Sequence, residues 1–189
     1  MIFSETSLEG VYTVDLERRA DSRGFFARAF CQRDFETRGL EPVVAQVNVG
    51  FSIRKGTVRG MHFQFPPHAE VKLVRATRGS VLDVVVDLRP ESPTYLQHLG
   101  VELSADNHLA LYIPRRFAHG YQTLEDGAEV SYQTSEFYAP GADDGLAPLD
   151  PRLGIAWPLP VTEISEKDTT ARRLEDVEPE LHQRMSIGR

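Results

Sequence analysis

Cysteine occurs once in this chain, at Cys31, so no internal disulfide can form and no thiolate cluster is available for structural zinc. Cys31 reads as a structural residue. No stretch approaches the roughly 18 uninterrupted apolar residues that a membrane helix requires. Residues 1–10 lack the basic start and apolar run of a signal peptide. No membrane is therefore expected as a partner, and the cytoplasm is the expected location. An excess of positive charge is missing too: the formal net charge is -7. That balance argues against non-specific nucleic-acid binding, because phosphate neutralisation needs a basic face. Internal repeats, low-complexity tracts and linkers are also absent, and with them the usual marks of a repeat array or a multidomain chain.

What remains is a chain of 189 residues, 41% hydrophobic and 26% charged, the length and balance of one globular domain. Its apolar residues fall into short runs bounded by Gly, Pro, Asp and Asn, at residues 43–51, 58–65, 71–77, 80–88, 96–103, 109–113, 117–123 and 129–137. Runs of this length, rich in Val, Ile, Leu, Phe and Tyr, predict strands, and their even spacing predicts an all-β sandwich or barrel. Arg78-Gly79 separates two of them, residues 89–93 break another pair, and Glu125-Asp126-Gly127 reads as a hairpin turn. Helices have little room. Residues 31–38 predict one short helix, residues 167–184 a polar, weakly helical tail, and residues 139–153 a long surface loop of the kind that often carries function.

Several polar residues interrupt the apolar strands. In Arg59-Gly60-Met61-His62-Phe63-Gln64 the period of two sends Met61 and Phe63 to one face, His62 and Gln64 to the other. Lys72 stands between Val71 and Leu73, His119 follows Phe117-Ala118, and Tyr132 lies in Val130-Ser131-Tyr132-Gln133. Singly, each has an ordinary structural explanation: a hydrogen-bonded core histidine, a lysine that snorkels to the surface, an aromatic that packs a barrel. Together they suit proton abstraction beside a carbonyl. A neutral imidazole removes the proton, an ammonium stabilises the enolate oxygen, and a phenol returns a proton from the opposite side. A metal site is the competing arrangement, since small jelly rolls often hold metals through clustered histidines. The spacing here is poor for it. His62 has no histidine two residues away, His68 follows a Pro-Pro turn, and His98 and His108 flank separate strands.

With these residues assembled, the chain resembles the dTDP-4-dehydrorhamnose 3,5-epimerase family over residues 8–168, leaving residues 169–189 as a tail to a single domain. The resemblance is carried by Asp21-Ser22-Arg23-Gly24-Phe25-Phe26, by Gln46-Val47-Asn48, by the segment from Gly56 through Arg59 and His62 to Gln64, by Val71-Lys72-Leu73-Val74, by Asp83 to Arg89 followed by Ser92-Pro93-Thr94, by Ala118-His119-Gly120-Tyr121 and by Ser165-Glu166-Lys167-Asp168. It implies a cupin-like jelly-roll homodimer with short peripheral helices. It further implies action without metal or cofactor on a nucleotide-linked, dTDP-type 4-keto-6-deoxyhexose, inverting C3, C5 or both in activated deoxysugar biosynthesis. By position, His62 would be the base, Asp168 its orienting carboxylate, Tyr132 the proton donor and Lys72 the enolate stabiliser. Arg23, Gln46, Asn48, Arg59, His119 and Lys167 would bind the nucleotide and diphosphate, with Arg23 reaching in from the partner subunit. Tyr138 would pack against sugar or base, and Asp143 stands where the family usually has glutamate. Other departures are Arg28 for a usual glutamate, Glu70 for glutamine and Arg116 for glycine, with the loop from Asn48 to Gly56 one residue longer. These leave open a 3-monoepimerase acting on a modified sugar and a homologue that binds sugar nucleotides without turnover.

Overall fold

The structure is a computed structural model in which residues 1–186 are described. Two antiparallel sheets face one another. The first runs β1 (Ile2–Glu5), β2 (Tyr12–Asp15), β10 (Ala110–Ile113), β7 (Lys72–Arg78), β12 (Ala128–Thr134) and β5 (Gln46–Ser52) in spatial order. The second runs β13 (Asp143–Gly145), β6 (Thr57–Gln64), β11 (Phe117–Thr123), β8 (Ser80–Asp87) and β9 (His98–Ser104), with β14 (Glu163–Ile164) added in parallel to β6. A small hairpin of β3 (Arg19–Asp21) and β4 (Gly24–Phe26) stands apart. This is the all-β barrel expected from the spacing of the apolar runs, in the jelly-roll form that the family resemblance implies. Among the described residues no helix is long and apolar enough to cross a membrane.

Alternation along the strands sorts the core into three layers. Val81 and Val85 of β8 point between the sheets and meet Val74, Ala76, Leu111 and Val130 from the opposite sheet. Their neighbours Val84 and Val86 point the other way, into a second cluster with Met61, Phe63, Leu174, Val177 and Leu181. On the far side of the first sheet, Leu73, Ala110 and Tyr112 pack under Phe35 of α1 (Gln32–Glu36). Both sheets are thus covered outside by helical side chains, and the barrel interior is free to carry polar groups where one is needed.

Several sequence expectations are corrected. Glu125-Asp126-Gly127 turns the chain, with Gly127 at φ 66°, but closes no hairpin: β11 pairs with β6 and β8, and β12 with β5 and β7. A tight turn fixes the bend, while the buried faces of the flanking strands decide which layer each joins. Residues 43–45 precede β5, and Leu96, at φ 62°, lies outside β9. The strands β1 to β4 escaped notice because their three or four residues show no sustained alternation. The loop at residues 139–153 contains β13, which pairs with β6, and buries Leu146 and Leu153.

The segment read as a polar tail is the largest correction. It comprises α2 (Glu166–Thr169) and α3 (Leu174–Arg184), and α3 buries Leu174, Val177 and Leu181 completely against the second sheet. Spaced three, four and seven apart, these residues form one narrow stripe that acidic neighbours dilute in any average of polarity. Truncating Leu181 to alanine should cost about 3 kcal/mol, the range for a fully buried leucine. Urea unfolding would show it as a lower midpoint with unchanged slope; a midpoint within error of the parent would mean that α3 contributes no core.

Candidate active site

Strand register places the polar interior residues in rows. On the first sheet, Gln46 pairs with Thr134 and Thr134 with Lys72, while the next inward row pairs Asn48 with Tyr132. On the second sheet, Asp143 pairs with Gln64, Gly145 with His62, and His62 with His119. Because the two sheets face each other, the rows enclose a cleft of about 320 Å³. Its walls carry Gln46, Asn48, His62, Lys72, Tyr132, Tyr138, Asp143 and Lys167, together with Gln64, Glu70 and Thr134.

His62 holds its position through a residue far along the chain. Its Nε2 lies 2.6 Å from Asp168 Oδ1, and Asp168 Oδ2 accepts the Gly60 N–H at 3.3 Å. Asp168 is 3% exposed. Burial pushes its carboxyl up, but the hydrogen bonds from His62 and the Gly60 N–H outweigh that and hold it below the ordinary carboxylate range. An ionised carboxylate only accepts, so His62 Nε2 donates and Nδ1 keeps the lone pair that a base requires. Local sequence explains how Asp168 arrives there. Ser165 caps α2, its hydroxyl accepting the Asp168 N–H at 3.1 Å, and this fixes the short turn. The preceding residue, Lys167, turns to the cleft and meets Asp143 at 2.7 Å. That hydrogen bond raises the ammonium above its ordinary value against the pull of burial.

Two glycines let the His62 strand lie so close to its neighbour. Gly60 sits at φ 132°, and a Cβ there would come within 2.5 Å of Gly120 Cα. At Gly120 a Cβ would meet Arg59 O and Met61 Sδ, both at 2.7 Å. The backbone crossing these residues permit carries the register shift between His119 and Tyr121 and brings His119 beside His62.

Across the cleft, Lys72 is buried, its Nζ 3.0 Å from Glu70 Oε1. Tyr132 stands on the same sheet as Lys72 and faces the sheet of His62. Burial, then the negative charge of Glu70, raise its phenol against the smaller effect of Arg59, so the hydroxyl keeps its proton through neutral pH. Tyr138 donates from its hydroxyl to Asp143 at 3.3 Å, and its N–H is fixed by Gln46 Oε1 at 2.8 Å.

Three expected site residues stand outside this cleft. His119 is buried and bound through Nε2 to Asp83 Oδ1 at 2.8 Å, behind the wall and beside His62. Arg59 is anchored to Ser52 and to the Phe51 carbonyl and lines an adjoining open groove with Ile164 and Ser165. Arg23 sits on the turn of the β3–β4 hairpin, its side chain 87% exposed and paired with Asp21 at 2.6 Å. Sequence reasoning named Asp83 only as part of a matching segment and Glu70 only as a departure from the family pattern, and did not foresee their contacts with His119 and Lys72. The signal for both was present: Asp83 is a carboxylate inside an apolar strand, and Glu70 stands two residues before Lys72, at the start of another. Among the described residues no group of three or more His, Cys, Asp or Glu is placed to hold a metal ion.

The Asp168–His62 pair predicts one contribution to the response of stability to acid. The Asp168 carboxyl is depressed in the folded state, so the unfolded chain binds that proton more tightly. Its contribution to stability is complete above the unfolded value of about 3.9 and is lost as pH falls through the lowered folded value. Urea midpoints measured from pH 6 downward should therefore fall more steeply for the parent than for Asp168→Asn. Parallel curves would remove Asp168 from the acid response.

Comparison with known proteins gives this geometry a relationship. Residues 5–176 match the family described as dTDP-4-dehydrorhamnose 3,5-epimerase. A dTDP-4-dehydrorhamnose 3,5-epimerase from Methanothermobacter thermautotrophicus is 41% identical over 177 residues, covering 92% of this chain and 95% of its own. The crystal structure of the corresponding enzyme from Elizabethkingia anophelis superposes with a TM-score of 0.90 at 37% identity, covering 93% of this chain and 97% of that one. A 3'-monoepimerase from Streptomyces bikiniensis, solved in complex with dTDP-quinovose, superposes at 0.85 with 34% identity, covering 94% and 90%. With its barrel, its motifs and these relatives in agreement over most of its length, the chain belongs to the dTDP-4-dehydrorhamnose 3,5-epimerase family.

Proposed function

We propose that the cleft epimerises a nucleotide-linked 4-keto-6-deoxyhexose, a dTDP sugar by analogy with the ligands of its structural relatives, through an enolate. The observation that carries this reading is the placement of His62, backed by Asp168, and Tyr132 on facing sheets around one cleft, with Lys72 on the strand beside Tyr132. His62 Nδ1 takes the proton from a carbon next to the ketone, and the C–H electron pair moves onto the carbonyl oxygen. Lys72 receives that oxygen as charge develops. Tyr132 then gives its phenolic proton to the same carbon from the other side, and the carbonyl reforms with inverted configuration. No electrons are gained or lost overall, so the reaction has no need of a redox cofactor. Lys167 and Asn48 on the cleft wall, with Arg59 in the adjoining groove, suit the diphosphate and nucleoside.

The assembly is proposed as a homodimer. β5 is an edge strand whose outward residues Val47 and Val49 are 61% and 64% exposed, and an apolar edge of this kind calls for a covering partner. Arg23, remote from its own cleft, is then free to serve the neighbour's. A cytoplasmic location accords with a chain that uses one cysteine and no disulfide.

Proton NMR of dTDP-4-keto-6-deoxyglucose in deuterated buffer tests the reading. Deuterium at both C3 and C5 is the expected result. Label at C3 alone would favour the second reading, a 3-monoepimerase, which the likeness to the S. bikiniensis enzyme supports. Binding without exchange at either carbon would sink the catalytic reading on this substrate.

A further inference from the structure

One charged group in the cleft has no part in the proposed reaction. Glu70, just ahead of β7, has a side chain only 12% exposed, and Oε1 contacts Lys72 Nζ at 3.0 Å. Its Oε2 accepts from Gln64 Nε2 at 3.3 Å. Gln64 has no donor left to offer a ligand: its amide nitrogen also serves the His68 and Phe137 carbonyls, while its Oε1 accepts the Ala139 N–H. A carboxylate has about four acceptor directions, so Glu70 retains two for whatever enters the cleft.

Charge makes the position of Glu70 consequential. On the cleft wall, Lys72 and Lys167 stand against Glu70 and Asp143, with Asp168 behind His62. The wall itself carries two carboxylates against two ammonium groups, with a third carboxylate buried behind it, while the Arg59 guanidinium is tied down in the adjoining groove. For an uncharged keto sugar, Glu70 works against the reaction. An enolate oxygen resting on Lys72 lies within a few ångströms of the carboxylate that already neutralises that ammonium, and like charges so close disfavour one another. A cation on the ligand beside the carbonyl removes the disadvantage, because it gives Glu70 a second positive partner next to Lys72. Sugar chemistry limits where it can be. With the ketone at C4, the flanking C5 carries the ring oxygen and the methyl carbon, so only C3 is left to bear nitrogen.

We infer that Glu70 is a specificity-determining residue that selects a sugar nucleotide bearing a basic amine at C3, next to the ketone. The inference rests on the epimerase reading above. The amine donates to the free acceptor directions of Glu70 while the ketone oxygen takes a free N–H of Lys72. Glutamine would keep the shape and one acceptor at this position but lose the charge.

Two ligands without the ketone test this separately from turnover: dTDP-6-deoxyglucose and dTDP-3-amino-3,6-dideoxyglucose, titrated calorimetrically into the full chain and into Glu70→Gln. The parent should bind the amino ligand about tenfold more tightly than the hydroxyl ligand, the difference between a charge-assisted and a neutral hydrogen bond. Glu70→Gln should bind the two within about twofold. A parent that binds the amino ligand no more tightly overturns the inference without reference to any variant, and so does a preference that survives in Glu70→Gln. Failure of both ligands to bind overturns the inference together with the sugar-nucleotide reading. Failure of the epimerase reading alone shows instead as absent deuterium exchange.

Discussion

Replacing His62 with alanine should slow solvent-deuterium incorporation beside the substrate ketone by about 10³-fold, the usual loss when a positioned general base is removed, while the chain stays folded. The second half of that expectation follows from exposure. The His62 side chain is 36% accessible and touches the cleft, so its removal opens no sealed cavity. What is lost is the one imidazole on the cleft wall whose lone pair is directed by a buried carboxylate. Asp168 would then keep only the Gly60 N–H and its helix cap. The measurement is the NMR exchange rate for parent and variant at matched concentration, with circular dichroism as the check on folding. An undiminished rate would transfer the role of base to another group, and Tyr132, on the facing sheet, would be the first to examine.

Lys72→Met should lower kcat by about 10²-fold to 10³-fold with a smaller effect on KM, because an oxyanion contact strengthens as charge develops and matters less to the bound ketone. The substitution has a second effect, since Glu70 loses its cation and keeps only Gln64 as a donor. Methionine preserves length and apolar contact, and adding Glu70→Gln removes the stranded charge. The double variant should recover stability without recovering kcat. A kcat within threefold of the parent in both variants would show that the enolate oxygen rests elsewhere.

Much of this site was legible in the sequence because its residues break apolar alternation. Lys72 and His62 each stand out against strand neighbours, and the period of two puts His62 and Gln64 on one shared face, opposite Met61 and Phe63. The sequence contains three lysines, Lys55, Lys72 and Lys167, and two of them line the cleft. The strand partners were not legible. Turn chemistry at Glu125-Asp126-Gly127 is the same whether the chain folds back on its sheet or crosses to the other, and only the complete set of buried faces distinguishes the two. The Asp168 role came from family resemblance, since the contact joins residues 106 apart in the chain. The packing of α3 was missed for a different reason: its buried stripe is three residues wide in an otherwise acidic helix.

That 106-residue separation also bears on how the chain acquires activity. Contacts between distant segments form late, since loop closure must be compensated before they contribute, and sheet proteins of this kind fold slowly. During synthesis β6 and its histidine emerge long before α2. Until α2 is joined to β6, the imidazole has no carboxylate behind it. Competence for proton transfer therefore requires α2 to be docked as well as the sheets formed, and exchange activity reports that long-range contact.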